Sequence, residues 1–319
     1  MVTGSTRRRG PPDPLPLEVF VMRVFVTGAT GFIGSAIVRE LLDAGHQVLG
    51  LARSDAAAAS LSAAGAEAHR GALDDLDSLR SGAASADGVI HAAFVHDFSD
   101  YAGAARTDRH AVETLGAALA GSDRPFVTTS VTFLLTPGQR GTEDDPADPA
   151  SPSAVRMAAE EAALSLATRG VRTSAVRLPP SVHGEGDRGF VPTLIGIART
   201  QGVSAYVGDG ANRWPAVHRL DAARLYRLAL EDAPPGSRLH AVADEGVPAR
   251  EIADVIGRRL NLPVAAVPGE RAGEHFGWIG HFFSVDNPVS SALTRNQLNW
   301  DPIRPALLSD LDQGHYFDD

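Results

Sequence analysis

Short apolar runs alternate with longer stretches of helical periodicity along most of this chain. The first run, residues 24–26, has the length and composition of a buried parallel strand. The apolar positions that follow it recur every three to four residues and predict a helix: Ile33, Ile37, Val38, Leu41 and Leu42. Further strands are predicted at 47–52, 66–70, 88–94, 125–130, 171–177 and 238–243. This order is typical of an α/β fold with a doubly wound parallel sheet.

The rhythm changes in the second half of the chain, which predicts two lobes. Residues 22–178 and 216–243 should form the main α/β domain, and residues 179–215 and 244–319 a smaller C-terminal α+β lobe. Residues 1–21 differ from both, because they hold three consecutive arginines and a proline-rich stretch. We expect them to be a disordered extension.

Three glycines separate the first strand from the first helix. Gly28, Gly31 and Gly34 have the spacing G-x-x-G-x-x-G. The first permits a tight turn, the second leaves room for a pyrophosphate, and the third lets helix and strand pack closely. Free N–H groups and the positive end of the helix dipole would face the phosphates. The turn is therefore predicted to bind a dinucleotide, with further contacts from Thr30, Phe32 and Ile33.

The second predicted strand leads into Arg53 and Ser54, about twenty residues beyond the last glycine of the turn. An acidic side chain there would bind the adenosine ribose hydroxyls, whereas an arginine can pair with a 2′-phosphate. The sequence therefore favours NADP(H), and the main domain is predicted to be a Rossmann-type NADP-binding domain. The alternative is that Arg53 is only a solvated loop charge.

The amino-acid composition and net charge argue against several classes of function. The chain has 319 residues, 44% of them hydrophobic, which is enough for a large core. A formal net charge of −10 gives no electrostatic reason to expect nucleic acid or an anionic membrane as a partner. The lack of cysteine excludes disulfides and a thiol nucleophile and fits a reducing cytoplasm. No apolar run is long enough to span a bilayer, and no spacing of His, Asp and Glu suggests a metal site.

Three stretches, residues 27–34, 89–93 and 217–221, carry a family resemblance. They resemble motifs of the extended and atypical short-chain dehydrogenase/reductases, including the NAD-dependent epimerase/dehydratase-like members. The resemblance implies a nicotinamide dinucleotide cofactor and assigns further contacts with it to Ala72, Leu73, Ala92, Ala93 and Pro179. Where the family usually has Gly-Asp-Leu, this chain has Gly-Ala-Leu at 71–73. The adenine contact would therefore fall to the backbone and to Leu73.

The same resemblance implies the catalytic residues. Ser130 aligns with the serine that binds a substrate oxygen, and Arg156 aligns with the lysine of the family's Tyr-x-x-x-Lys element. An arginine there can still hold the hydroxyls of the nicotinamide ribose, but it cannot donate a proton. The tyrosine position of that element is taken by Pro152, so no phenol is available there. His183 replaces a common tyrosine near the nicotinamide, and its imidazole could transfer a proton. The alternatives are structural: Ser130 bonded to local backbone, an Arg156–Glu160 pair on the helix surface, and a loop histidine at 183.

The combined prediction is an NADP(H)-dependent oxidoreductase that acts on a carbonyl or related small molecule. The alternatives are an epimerase or dehydratase that retains its cofactor and a non-catalytic NADP(H)-binding redox sensor. We expect no nucleic-acid or membrane partner, and a homodimer is left open. The residues predicted to contact the substrate are Phe94, His96, Thr132, Ser181 and Trp214.

Overall fold

The computed structural model describes residues 21–317. The predicted extension, residues 1–21, lies outside the described residues except for Val21. Twelve strands are present in the described chain: β1 (Arg23–Thr27), β2 (Gln47–Ala52), β3 (Glu67–Arg70), β4 (Gly88–His91), β5 (Pro125–Val131), β6 (Arg172–Leu178), β7 (Ser181–His183), β8 (Ser204–Val207), β9 (Arg213–His218), β10 (Ser237–His240), β11 (Asp244–Pro248) and β12 (Val264–Val267).

Twelve α-helices connect these strands within residues 21–317. They are α1 (Phe32–Asp43), α2 (Asp55–Ala63), α3 (Leu76–Ala84), α4 (Tyr101–Leu119), α5 (Met157–Ser165), α6 (Phe190–Gln201), α7 (Arg219–Asp232), α8 (Ala249–Leu260), α9 (Ala272–Phe276), α10 (Ile279–Phe283), α11 (Ala292–Leu298) and α12 (Leu307–Leu311). A short 3₁₀ turn, Ala154–Arg156, leads directly into α5.

Seven strands form one parallel sheet in the order β10-β6-β5-β4-β1-β2-β3. Helices α1, α2 and α7 pack on one face of this sheet, and α3, α4 and α5 pack on the other. The chain order reverses beside β1, so the crevice between β1 and β4 is the topological switch point at which such sheets bind ligands. The predicted Rossmann-type doubly wound fold is confirmed.

The remaining strands form two small sheets, β11-β9-β7 and β12-β8. A separate hydrophobic core lies among them and among α6, α8, α9, α10 and α12. The C-terminal segment is tied back to α7, because the carboxylate of Asp221 accepts hydrogen bonds from the backbone N–H groups of Ile303 and Arg304. The indole of Trp300 donates to the carbonyl of Asp221 as well. These bonds hold the segment that leads into α12 against α7.

Residues 21–317 contain neither a membrane-spanning helix nor a metal-binding cluster. No helix among them combines the length and the apolar character that crossing a bilayer requires. The same residues contain no cluster of three or more His, Asp or Glu side chains arranged to hold a metal ion.

The tight packing at Gly34 generates a prediction about stability. A Cβ at this position would lie 1.9 Å from the carbonyl oxygen of Gly28, a backbone atom that cannot rotate away. Gly34→Ala should therefore lower the free energy of unfolding by at least about 2 kcal/mol in urea titrations. Gly196→Ala is the matched control, since a Cβ on exposed α6 meets nothing within 4 Å and should raise stability by about 0.5–1 kcal/mol. Equal effects of the two changes would contradict this account of the turn.

Candidate active site

The glycine turn sits against the end of β4. Gly28 has φ of +68°, and a Cβ there would lie 2.8 Å from the backbone of both Ala92 and Ala93. Gly31 is exposed, and a Cβ on it would meet only the Gly28 oxygen, at 3.1 Å. The turn thus combines a left-handed backbone, a close crossing of two strands and an open surface over its middle glycine.

The N-terminus of α1 opens onto the same surface. No side chain caps this helix, and its first turn carries no acidic residue. The backbone N–H groups at Phe32 and Ile33 begin the helix, and Thr30 next to them is exposed. Free N–H groups, a positive helix end and a glycine without a side chain match a pyrophosphate. The residues present therefore fit a dinucleotide, in the place that the sequence predicts.

The end of β2 presents an arginine to solvent. Arg53 is exposed, and within the described chain no hydrogen bond or ion pair involves its guanidinium. The hydroxyl of Ser54 accepts a hydrogen bond from the N–H of Ala57 and caps α2. Ala72 and Leu73 come just after the end of β3, the strand that pairs with β2, and both are half-buried. The four predicted adenosine contacts therefore lie at the carboxyl ends of two paired strands.

A buried chain of polar groups runs from the glycine turn to Arg156. The Oγ1 of Thr27 lies 2.7 Å from His91 Nδ1, and His91 Nε2 lies 3.1 Å from Asp108 Oδ1. The other carboxylate oxygen of Asp108 accepts from Arg156 Nη2 at 3.3 Å. Burial raises the pKa of Asp108, but Arg156 and His91 outweigh it and hold that pKa below its usual range. Asp108 is therefore an ionised carboxylate that fixes both of its neighbours.

Arg156 lies at the carboxyl ends of β4 and β5. Its Nη2 also donates to the carbonyl of Thr129 at 3.2 Å, and its guanidinium carbon lies 4.1 Å from the ring centroid of Phe94. Only 6% of the residue is exposed, and its Nε has no partner in the described chain. The alternative of a surface pair with Glu160 is wrong, because the carboxylate of Glu160 binds other groups.

The Ser130 side chain does not have the orientation that binding a substrate oxygen would require. Strand alternation turns its side chain toward α5, where its Oγ donates to Glu160 Oε2 at 2.5 Å. The same carboxylate binds Arg177 through two bonds, at 2.6 and 3.0 Å. Burial raises the pKa of Glu160, but the bonds from Arg177 outweigh it and lower that pKa. The structure corrects the expectation that the Ser130 hydroxyl faces a substrate oxygen, since its proton is already committed to a buried carboxylate.

His183 belongs to another cluster of side chains. It is fully buried on β7, its Nδ1 lies 2.8 Å from Asp310 Oδ2, and its ring packs edge-on against His218. Its Nε2 has no hydrogen-bond partner among residues 21–317. No described contact joins His183 to Ser130 or Arg156, so the structure does not bring the three predicted catalytic residues together. The neighbouring positions Pro179 and Ser181 are also buried.

The predicted substrate contacts fall into two groups. Phe94 and His96 lie at the site, where their rings pack edge-on at 5.4 Å. The side chain of His96 is exposed at the surface, yet surrounding protein desolvates it, and this desolvation together with Arg156 lowers its pKa below 6.5. Thr132 and Trp214 have no exposed surface: Thr132 donates to Asn287, and Trp214 packs in the second core. These two side chains are fully buried and present no surface to a ligand.

Comparison with known proteins decides the family. The model of the NAD dependent epimerase/dehydratase family matches residues 24–241, which is more than half of the chain. The chain belongs to this family. Members of the epimerase/dehydratase family depend on a nicotinamide dinucleotide, in agreement with the glycine turn and the open end of α1.

The similar proteins differ in how much is known of their function. An uncharacterized protein of Schizosaccharomyces pombe is 54% identical over 297 residues, 93% of this chain and 100% of its own length. The 2-alkyl-3-oxoalkanoate reductase of Stenotrophomonas maltophilia is 31% identical over 258 residues, 76% of this chain and 77% of its own. The dTDP-glucose 4,6-dehydratase DesIV of Streptomyces venezuelae, solved with NAD, matches with a TM-score of 0.75 at 21% identity, covering 92% and 96%. This last similarity shows the fold alone.

Three polar residues at this site, Asp108, Ser153 and Tyr101, have no role in the prediction from sequence. Asp108 reads as an ordinary polar residue of a helix, and Ser153 as part of a loop. Tyr101 stands at the end of a loop with mixed polar and aromatic residues, which was the one available signal. Its hydroxyl donates to Ser153 Oγ at 3.2 Å. The contact between Tyr101 and Ser153 spans fifty-two residues of sequence, and the contact between Asp108 and Arg156 spans forty-eight. No local sequence pattern predicts contacts over such distances.

The buried Glu160 generates a prediction about stability and pH. Glu160→Gln should lower the free energy of unfolding at pH 7 by about 3 kcal/mol, because Arg177 loses its ionised partner in the interior. The folded pKa of Glu160 is lowered, so this stabilisation is present above the unfolded pKa and disappears as pH falls through the folded value. The difference between variant and wild type should therefore shrink below about pH 4.

Urea titrations from pH 7 downward measure this difference. The matched control is Glu161→Gln, an exposed neighbour whose substitution should change stability by less than about 0.5 kcal/mol. A Glu160→Gln variant that matches the control at pH 7 would show that the buried network adds nothing.

Proposed function

We propose that this chain is an NADP(H)-dependent oxidoreductase that reduces a carbonyl compound. The observation that carries the proposal is the environment of Arg156. A buried guanidinium is fixed by Asp108 and Thr129, and Asp108 links it through His91 to the start of the glycine turn. Its Nε has no hydrogen-bond partner among residues 21–317. Buried donors are rarely left unsatisfied, so this Nε favours a ligand oxygen at the carboxyl ends of β4 and β5.

The residues of the chain would divide the cofactor between them. Gly31 and the first N–H groups of α1 would hold the pyrophosphate, and Arg53 would pair with the 2′-phosphate. Arg156 would donate from Nε to a hydroxyl of the nicotinamide ribose. NADPH bound in this way supplies the hydride, and the protein's task is to orient the acceptor and the proton donor.

The smaller lobe, residues 179–215 and 244–319, would bind the substrate. Its face toward Phe94 carries aromatic rings: Phe282 and Phe190 stack at 5.8 Å, and Trp278, 45% exposed, packs against Phe190 at 5.5 Å. Such a wall suits an apolar carbonyl compound better than a heavily hydroxylated one. The name of the Stenotrophomonas maltophilia relative, an oxoalkanoate reductase, supports the same class.

Two other functions are compatible with the same fold. An epimerase or dehydratase would return its cofactor unchanged after each turnover, and a redox sensor would bind it without turnover. The Nε donor of Arg156 fits cofactor binding in all three cases, so the reaction itself has to be measured. A cytoplasmic location and a homodimer remain expectations from the sequence.

The proposed function predicts NADPH oxidation in the presence of a carbonyl acceptor. We expect loss of nicotinamide absorbance with at least one of ethyl 3-oxobutanoate, benzaldehyde and cyclohexanone, and none without an acceptor. Arg156→Ala should weaken NADPH binding, because a ribose contact is lost, while the exposed control Arg39→Ala should not. Absence of oxidation with every acceptor, together with tight NADPH binding, would contradict the reductase and favour the sensor.

The exposed Arg53 predicts the choice of cofactor. Calorimetry should show tighter binding of NADPH than of NADH, and Arg53→Ala should weaken NADPH binding about tenfold. The affinity for NADH should stay within about twofold, because NADH lacks the 2′-phosphate that Arg53 would neutralise. The effect should decrease at high salt, as expected for an exposed charge. Equal wild-type affinities for the two cofactors would contradict the assignment.

A further inference from the structure

We propose that Tyr101 supplies the phenol that protonates the substrate oxygen, with its hydroxyl held by Ser153. The proposal rests on the proposed function, because it assigns the proton source of that reduction. The observation behind it is that a phenol from the start of α4 reaches the segment just before α5, where its hydroxyl donates to Ser153 Oγ at 3.2 Å.

The position of Tyr101 is fixed from several sides. Asp100 caps α4 by accepting from the N–H of Gly103, which sets the helix start and the direction of the Tyr101 side chain. The ring packs edge-on against Phe94, with centroids 6.0 Å apart, and against Phe282 of the substrate lobe at 6.3 Å. The phenol thus stands where the end of β4, the start of α5 and the lobe meet.

Phe94 connects this phenol to the cofactor side of the site. One ring contacts the Arg156 guanidinium at 4.1 Å and the Tyr101 ring at 6.0 Å. Arg156 itself follows Ser153 by three residues, and its backbone N–H donates to the Ser153 carbonyl at 2.9 Å. The cofactor-binding arginine and the residue that orients the phenol therefore belong to one rigid turn.

The other candidate proton donors are committed or unsuited. The Ser130 hydroxyl donates to the ionised carboxylate of Glu160, which cannot donate in return, and His183 lies in the lobe against Asp310. The acceptor of the Tyr101 hydroxyl is the neutral hydroxyl of Ser153, which can rotate and act as a donor itself. Arginine does not release its proton in proteins. Desolvation and the charge of Arg156 lower the pKa of His96, which disfavours the protonated imidazole that could give up a proton. Of the two rings among the described residues that pack against Phe94, only that of Tyr101 carries a hydroxyl hydrogen-bonded to the turn before Arg156, and the proton is assigned to this phenol.

The proton and electron balance of the step is simple. Bound NADPH would supply the hydride for a new C–H bond at the carbonyl carbon, and the electron pair of the C=O π bond would move to oxygen. The phenolic proton of Tyr101 then goes to that oxygen, which gives the alcohol. Tyr101 is half-buried, so its phenolate can regain a proton from water. The Ser153 hydroxyl accepts from the phenol before the transfer and can rotate to donate to the phenolate after it.

The test compares Tyr101→Phe with the matched control Tyr206→Phe. Tyr206 lies on β8, where its hydroxyl accepts from Arg250, so its loss removes a phenol far from Phe94. With ethyl 3-oxobutanoate and NADPH, Tyr101→Phe should lower kcat by about 10²- to 10⁴-fold, and Tyr206→Phe should leave it within about twofold. Melting temperatures and NADPH affinities by calorimetry should match the wild type in both variants.

A binding measurement provides a readout besides turnover. Calorimetry of ethyl 3-oxobutanoate into the NADP⁺ complex should show about tenfold weaker binding to Tyr101→Phe, since a hydrogen bond to the ketone oxygen is lost. Normal turnover and normal ketone binding in Tyr101→Phe would overturn the assignment and leave the reductase intact. A wild-type protein that reduces none of the carbonyl probes overturns the proposed function, and the assignment of Tyr101 with it.

Discussion

The carboxylate of Asp108 is the group on which the rest of the site depends. It is 2% exposed and is shared between His91, at the end of β4, and Arg156, ahead of α5. A buried charge is stable only when it is paired and hydrogen-bonded, so the three side chains have to be placed together or not at all. Because His91 also contacts Thr27, this condition ties the glycine turn to the carboxyl ends of β4 and β5.

A second buried ion pair, between Glu160 and Arg177, likewise connects elements of the fold on the neighbouring strands. Glu160 on α5 joins Ser130 of β5 to Arg177 of β6, and Arg177 reaches on to the carbonyl of Asp145 at 2.9 Å. Helix α5 is therefore fixed at two points, by Arg156 at its start and by Glu160 one turn later. This explains why two side chains with the spacing of a helix-surface pair do not bind each other. Each of them has a buried partner of opposite charge on a different element.

The sheet and the cofactor turn could be predicted from sequence because both rest on local patterns. The apolar runs of the strands and the spacing of Gly28, Gly31 and Gly34 each lie within a short stretch, and the structure confirms the fold that they predict. The polar contacts of the site could not be predicted. Ser130 meets Glu160 across thirty residues, and Tyr101 meets Ser153 across fifty-two. Alignment with a family motif gave the position of Ser130 on β5 but carried no information on which carboxylate its hydroxyl would bind.

An arginine at position 156 changes how binding and proton transfer are shared within the site. A buried lysine can lose its proton, so one ammonium group can both hold a ribose and assist a neighbouring phenol. Arginine keeps its charge, and Asp108 neutralises that charge from behind, which makes Arg156 a fixed positioning group. In the proposed reductase, the proton would therefore come from another element of the fold. The start of α4 is suited to this task, because its Tyr101 shares the Phe94 ring with Arg156 while its hydroxyl binds the turn that carries the arginine.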